Sequence, residues 1–387
     1  MKTGEIKKGI YWVGVYDWDL RNFHGYITSR GSTYNAYLIV DDKIVLVDTV
    51  KAHFCEEMLA RIKNIIDPLK IDYIISNHVE MDHSGSLPVI VEAAKPEAII
   101  TSPNGAKGLK RHFKKDWNFK IVNTGDSINI GKRNINFVTI PMVHWPDSMI
   151  SFIPEEKLLL SNDAFGQHIA STERFDDELG FDIVKEEAAK YYANIVLPYG
   201  HEVNNALNAL SSLEINMIAP SHGIIWRSHL KDIIELYKKW ANNICDEKAV
   251  IVYDTMWGST EKMAYVLKEA FDEKNIPCQI KNLKTNSNSE VITSILSAKY
   301  ICIGSPTLNN GMLPSISSFL TYLKGLYPKN RIGIAFGSYG WGGQSVGDIE
   351  NILESIKFNV PLKGLKIQYV PDENELIELK NKIKAVL

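Results

Sequence analysis

Short apolar runs closed by polar turns dominate the first part of the chain, and a strand–loop–helix rhythm replaces them in the second. Gly9 to Val15 and Ala36 to Asp48 hold β-rich runs, with Asp41-Asp42 between runs in a hairpin-like pattern. His53 to Ile66 has helical spacing and stops at Asp67-Pro68. Ile71 to Ile75 predicts a buried strand and Leu87 to Ala94 a helix. Strand-like runs recur at Ile135 to Ile140 and from Lys157 to Leu160. The stretch Ala241 to Lys248 is polar and predicts a linker. Beyond it, Ala249 to Tyr253 predicts a buried strand and Lys262 to Phe271 a helix, with further strands at Tyr300 to Gly304 and Arg331 to Phe336. The change of rhythm predicts an α/β chain of two domains, 1–247 and 248–387.

Length agrees, since 387 residues exceed what one ordinary core organises. With 45% apolar and 23% charged residues and a formal net charge of −3, the composition is that of a globular protein with no electrostatic reason to bind nucleic acid or an anionic membrane. No apolar run reaches membrane-spanning length, and the first residues lack the apolar core of a signal peptide. Cys55, Cys245, Cys278 and Cys302 contain no Cys-x-x-Cys, which suits a reducing compartment and leaves no place for a fused rubredoxin or iron–sulfur module. A cytoplasmic protein is expected.

The polar ends of the apolar runs hold the chemistry. His78-Val79-Glu80-Met81-Asp82-His83-Ser84-Gly85 packs two imidazoles and two carboxylates into six positions, between a predicted strand and a predicted helix. That is where α/β folds build their sites. Alternate residues leave a loop in different directions, so His78 and Glu80 can face one metal ion while Asp82 and His83 face another. His144, Asp163 and His222 each stand just past a further apolar run. Asn22-Phe23-His24-Gly25-Tyr26 brings His24 and Tyr26 toward the same predicted rim, and Asp48 is placed to orient a metal-bound imidazole. In the second domain, Thr255-Met256-Trp257-Gly258-Ser259-Thr260 precedes a helix and offers backbone N–H groups and hydroxyls to a phosphate. Ser305-Pro306-Thr307-Leu308-Asn309-Asn310-Gly311 and Gly337-Ser338-Tyr339-Gly340-Trp341-Gly342-Gly343 also follow predicted strands, the places that flank the switch point of a doubly wound sheet.

The pattern His-x-Glu-x-Asp-His, with His144, Asp163 and His222 at long intervals, resembles the metallo-β-lactamase superfamily, an αββα sandwich with its metals on one edge. Glu80 stands where the zinc hydrolases of that superfamily have a second His. Four imidazoles (His78, His83, His144, His222) with three carboxylates (Glu80, Asp82, Asp163) make a harder, oxygen-rich set that suits iron better than zinc. The resemblance assigns His78, Glu80 and His144 to one iron and Asp82, His83 and His222 to the other, with Asp163 bridging. The three second-domain loops resemble those of flavodoxin, with Trp257 at a position where flavodoxins usually carry Thr. They imply FMN, and no Gly-x-Gly-x-x-Gly points to a dinucleotide.

The two parts in this order resemble the flavodiiron proteins, and the chain, ending soon after the flavodoxin-like unit, resembles their minimal two-domain class. The fold implied is an αββα metallo-β-lactamase-like sandwich followed by a flavodoxin-like doubly wound parallel sheet. The activity implied is four-electron reduction of dioxygen to water, reduction of nitric oxide to nitrous oxide, or both, with His24, Tyr26 and His168 as neighbouring donors of protons or hydrogen bonds. The family also implies an external donor, rubredoxin or a reduced deazaflavin coenzyme, and a head-to-tail homodimer or dimer of dimers in which flavin and irons meet. Two other readings stand beside it. One is a zinc hydrolase with a passenger flavodoxin domain, and the other a non-catalytic electron carrier that binds metal.

Overall fold

The computed structural model describes residues 4–387 and divides into two compact units, one of residues 4–191 and 201–238, the other of residues 192–200 and 239–387.

The first unit is built on two sheets. The larger has seven strands, running in space from Gly4–Lys7 through Ile10–Trp12, Tyr37–Ile39, Val45–Val47, Tyr73–Ile75 and Ala98–Thr101 to Phe119–Ile121. Its two faces are apolar in alternation, as the two-residue period of a strand requires. Tyr37, Ile39, Val45, Val47, Ile75 and Ile100 turn inward to meet Ile135, Phe137, Met149, Leu158 and Leu160 of the second sheet. Leu38, Leu46, Ile74 and Ile99 turn outward under Met58, Ile62, Leu87, Ile90 and Leu109, which lie on the helices Cys55–Lys63, Leu87–Ala94 and Pro103–Phe113. Helices Gly200–Leu210 and Leu230–Ala241 cover the outer face of the second sheet through Val203, Leu207 and Tyr237, against Ile150 and Leu159. The result is the expected αββα sandwich. Strands Asn134–Thr139, Leu158–Asn162 and Met217–Pro220 all run the same way in the five-stranded sheet, so the loops that follow them open on one edge.

The second unit has five parallel strands in the spatial order two-one-three-four-five by sequence: Cys278–Asn282, Asp246–Tyr253, Ala298–Gly304, Ile332–Tyr339 and Leu365–Gln368. That is the flavodoxin-like order, whose switch point lies beside the first and third strands. Strand Asp246–Tyr253 starts ahead of the predicted Ala249, and helix Ser259–Glu273 extends Lys262–Phe271 at both ends. No helix among the described residues is long and apolar enough to cross a membrane.

Candidate metal centre and ring pocket

His78, Glu80, His144 and Asp163 converge on the open edge of the sandwich, and Asp82, His83 and His222 converge beside them; in each group the nearest nitrogen and oxygen atoms lie within 4.8 Å of one another. The Asp163 carboxylate divides between the groups. Its Oδ2 is 3.6 Å from His78 Nε2 and 3.3 Å from His144 Nε2. Its Oδ1 is 3.0 Å from His83 Nε2 and 3.4 Å from His222 Nε2. Glu80 Oε2 stands 3.4 Å from both His78 and His144 Nε2, and Asp82 puts one oxygen 3.4 Å from His83 Nε2 and the other 3.3 Å from His222 Nε2.

These spacings fit a pair of metal ions. Donor atoms about 2.1 Å from a shared ion stand roughly 3.0 to 3.4 Å from each other. The satisfaction of the polar atoms agrees. His78 Nε2, His83 Nε2, both Asp82 oxygens and Asp163 Oδ1 are buried and make no hydrogen bond. Such groups cost several kcal/mol in an apolar interior unless a charge or ion compensates them, on the order of 1–3 kcal/mol each even for neutral groups.

Two of the imidazoles are held through Nδ1 so that Nε2 faces the centre. His78 Nδ1–H donates to Asp147 Oδ2 at 2.9 Å, and the same oxygen accepts the Val79 N–H at 2.8 Å. His222 Nδ1–H donates to the Thr33 carbonyl at 2.8 Å. The electrostatics of the bare cluster follow from this crowding. Burial disfavours charge on His144 and His83, but Asp163 and Glu80 around the first, and Asp82 and Asp163 around the second, raise both to about 9. Burial likewise opposes ionisation of Asp163 and Asp82, yet the imidazoles hold Asp163 well below the usual carboxylate range and Asp82 below it. Charges that must be balanced this closely mark a site for cations.

A pocket of about 550 Å³ opens above the cluster, lined by Phe23, His24, Lys51, Met81 and Trp145 beside Glu80 and Asp82. Lys51 sits 4.5 Å over the Tyr34 ring and 3.8 Å from Asp17, and the Trp145 ring stands edge-on to His78 at 5.1 Å.

In the second unit, the ends of four neighbouring strands and the loops after them line a pocket of about 820 Å³. Thr255 Oγ1 accepts the Gly258 N–H at 3.0 Å, and Gly258, at φ 85°, turns the chain into helix Ser259–Glu273. That left-handed turn is natural to glycine. Thr260 Oγ1 and Ser338 Oγ, 2.9 Å apart, tie the first loop to the third. Trp257 is 93% exposed and Trp341 80% exposed, two flat rings on the rim of the pocket.

A family model described as an ODP family beta lactamase matches residues 33–223, and one described as flavodoxin matches residues 251–382. The chain is 47% identical to a nitric oxide reductase of Moorella thermoacetica over 98% of both chains. Among solved structures, it matches rubredoxin oxygen:oxidoreductase from Desulfovibrio gigas at 41% identity and a TM-score of 0.97, covering 99% of this chain and 97% of that one. It matches the flavodiiron protein of Giardia intestinalis at 33% identity and a TM-score of 0.96, covering 100% and 96%. The chain belongs to the flavodiiron proteins. As a member it is an oxidoreductase, and the reading as a zinc hydrolase with a passenger domain gives way.

In this flavodiiron protein all seven residues expected as ligands stand in the two donor groups. Asp82 and His83 do not leave a loop, however. They lie on a one-turn helix, Met81–Ser84, with Glu80 at its N-cap, and the turn rather than alternation separates the two groups. Asp48 does not orient an imidazole either. Its carboxylate accepts from the Asn77 backbone at 2.7 Å and from the Asn77 and Asn162 side chains, clamping the loops that lead to His78 and Asp163. The orienting carboxylate is Asp147, which the sequence reading missed although it lies three residues past His144. Lys51 and Trp145 were missed as well.

His24 reaches Glu80 Oε1 at 3.2 Å from the pocket mouth. His168 lies behind the cluster, its ring 4.7 Å from that of His222 and 5.3 Å from that of Tyr26, and its Nδ1 is 2.8 Å from Ser32 Oγ. In the ring pocket, Met256, Trp257, Ser259, Pro306, Thr307, Leu308, Asn309, Asn310, Ser338, Tyr339, Gly340 and Trp341 line the cavity. Thr255, Gly258, Thr260, Ser305 and Gly342 do not line it; Thr255 and Thr260 brace the loops from behind. Tyr369 and Val370 line it unforeseen, and the signal for them was their position just past strand Leu365–Gln368 of the same sheet.

Proposed function

We propose that this flavodiiron protein reduces dioxygen to water, and nitric oxide to nitrous oxide, at two irons, one held by His78, Glu80 and His144, the other by Asp82, His83 and His222, with Asp163 across both. The observation that carries this reading is the division of one carboxylate between two donor groups, one oxygen to each. Two ferrous ions and a reduced FMN supply four electrons when bound, the number that dioxygen needs to become two waters.

The chain's own residues do the rest. Asp147 and the Thr33 carbonyl hold imidazoles in the tautomer that leaves Nε2 free. Phe23, Met81 and Trp145 make part of the approach to the centre apolar, and His24, Lys51 and His53 on it are able to give a proton or steady a negative charge. The second unit's pocket would hold FMN, its phosphate at the Thr255–Thr260 loop and its ring between the loops of Trp257 and Trp341.

Rubredoxin is the donor this reading favours, because a 41%-identical relative from Megalodesulfovibrio gigas is a rubredoxin-oxygen oxidoreductase. A reduced deazaflavin coenzyme is the rival to be run beside it. The head-to-tail homodimer is supported by exposed apolar side chains on each unit's own site, Trp257, Trp341, Tyr369 and Val370 around the ring pocket and Met81 at the metal mouth. Four free cysteines suit a cytoplasmic protein.

The test is metal analysis of protein purified without air, followed by uptake of each gas with reduced rubredoxin. About two irons per chain and consumption of either gas are the expected results. Zinc-replete protein that stays inert after iron reconstitution would overturn the proposal. Dilution to monomer should abolish turnover while both cofactors stay bound.

A further inference from the structure

Backbone N–H groups ahead of a helix can hold a phosphate, but the loop that offers them in the second unit brings no cation of its own. Residues 254–261, Asp-Thr-Met-Trp-Gly-Ser-Thr-Glu, carry two carboxylates and no Lys or Arg. Glu261 is occupied by the Tyr253 hydroxyl, which donates to its Oε1 at 2.6 Å. Asp254 is buried at the foot of the loop. Its Oδ1 accepts the Thr255 N–H at 2.6 Å and its Oδ2 accepts the Ser315 hydroxyl. A fixed carboxylate one residue ahead of the loop opposes the binding of a second anion there unless a cation offsets it.

The offset comes from the neighbouring strand. Tyr253 and Asn282 pair at the ends of Asp246–Tyr253 and Cys278–Asn282, and the Leu283 N–H continues the ladder to the Tyr253 carbonyl at 2.9 Å. The chain then turns tightly. Asn282 Oδ1 accepts the Lys284 N–H at 2.9 Å, and the Asn282 carbonyl accepts from Thr285 and Asn286 at 3.0 and 2.9 Å. Lys284 is thereby set beside the first loop. Its ammonium donates to the Thr255 carbonyl, and its Nζ stands 3.6 Å from Asp254 Oδ1. Among the described residues it is the one cation paired with Asp254. Lys284 does not line the ring pocket, so what it does is confined to the phosphate end. Its side chain is about half exposed, and replacing it disturbs no core.

We propose that Lys284 is a positioning residue for the flavin phosphate: it neutralises Asp254 and thereby gives the pocket its preference for FMN over riboflavin, the same ring without a phosphate. The proposal rests on the reading of the pocket as an FMN site. It assigns the selectivity to a charge pair behind the loop, whereas the loop's own N–H groups and hydroxyls supply the contacts.

The experiment is fluorescence titration of the full chain, freed of flavin, with FMN and with riboflavin. Lys284→Met should raise the Kd for FMN about tenfold, as an uncompensated like charge would, and leave that for riboflavin within about twofold. Lys284→Arg keeps the charge and should keep most of the FMN affinity. Asp254→Asn removes the charge to be neutralised, so adding it to Lys284→Met should return most of the lost FMN affinity. Because Lys284 is half exposed, the loss should also shrink at high salt. Equal losses for FMN and riboflavin, or FMN binding unchanged in Lys284→Met, would overturn the proposal. A folded double variant no better than Lys284→Met would overturn it too. If the Asp254 variant does not fold, the FMN-to-riboflavin split and the Arg rescue decide the matter. Wild-type protein that binds both flavins alike would overturn the role of Lys284 alone. One that binds neither would overturn the reading of the pocket, and that role with it.

Discussion

Asp163 is the residue on which the two donor groups depend together, since each of its oxygens faces a different pair of imidazoles. Replacing it by Asn keeps the shape and removes the shared charge. Asp163→Asn should therefore retain fewer than two metal ions per chain and lose gas consumption, read by elemental analysis and an oxygen electrode. Asp147 acts one step further out. It touches no ion position, yet it fixes the orientation of His78 and receives the Val79 N–H. Asp147→Ala should weaken metal binding about 10- to 100-fold, measured by chelator competition, with the fold intact by circular dichroism. The difference between these residues explains what the sequence could show. The seven residues of the two donor groups were legible because histidines and acids gathered at the ends of apolar runs are unusual. Asp147 was not, because a lone acid beside Pro146 looks like any turn residue until its partner is seen.

At the scale of elements, the strands were read from apolar runs, and the sandwich from the resemblance carried by the His-x-Glu-x-Asp-His pattern. The helix Met81–Ser84 was not, since one turn is too short to show a period. Nor were Tyr369 and Val370, whose exposure gives them no apolar pattern, foreseen as lining the ring pocket. The packing of neighbouring strands carries its own prediction. A methyl group on Gly304 would run into the ring of Phe336 on the next strand. Gly304→Ala should cost about 1–3 kcal/mol of the second unit's stability, read from denaturant unfolding followed by flavin release.

The last helix, Glu373–Lys384, is fastened differently, by charges. Glu273 accepts from Lys380 at 2.8 Å and from Lys384 at 2.5 Å, and these hydrogen bonds lower its pKa from 4.5 to about 2. A depressed carboxyl pKa stabilises the fold above the unfolded value and loses that effect as pH falls through the folded one. Amide exchange of the helix should therefore quicken as pH drops from 4.5 to about 2, after correction for intrinsic rates. The Lys380→Met, Lys384→Met double variant should show a flatter dependence. Because Glu273 is solvated, the effect should also shrink in high salt.

For the whole molecule, the joining of a two-metal sandwich to a flavodoxin-like unit sets an electron count. Two ferrous ions and one reduced flavin hold about four electrons per chain, so the fully reduced protein should consume one dioxygen per chain in a single turnover without releasing peroxide. Anaerobic titration followed by rapid mixing, with a peroxide assay, checks this. Peroxide released in proportion to oxygen would show that the electrons do not arrive together. That division of labour was legible in the sequence because each half carries its own motif. Which residues would brace a bound group, and which would touch it, was not.

The metal centre draws on residues from His78 to His222, and the last of them follows the final strand of its sheet, Met217–Pro220. During synthesis, therefore, the emerging polypeptide has no complete pair of donor groups until nearly the whole first unit has left the ribosome. Domains fold as units as they emerge, and strand Met217–Pro220 must pair in parallel with Leu158–Asn162 across a long separation before His222 takes its place. The group of Asp82, His83 and His222 is thus completed only by a nearly finished first unit, whereas His78, Glu80, His144 and Asp163 all emerge earlier. A ribosome-stalled chain ending before residue 217 lacks His222 and should bind at most one iron.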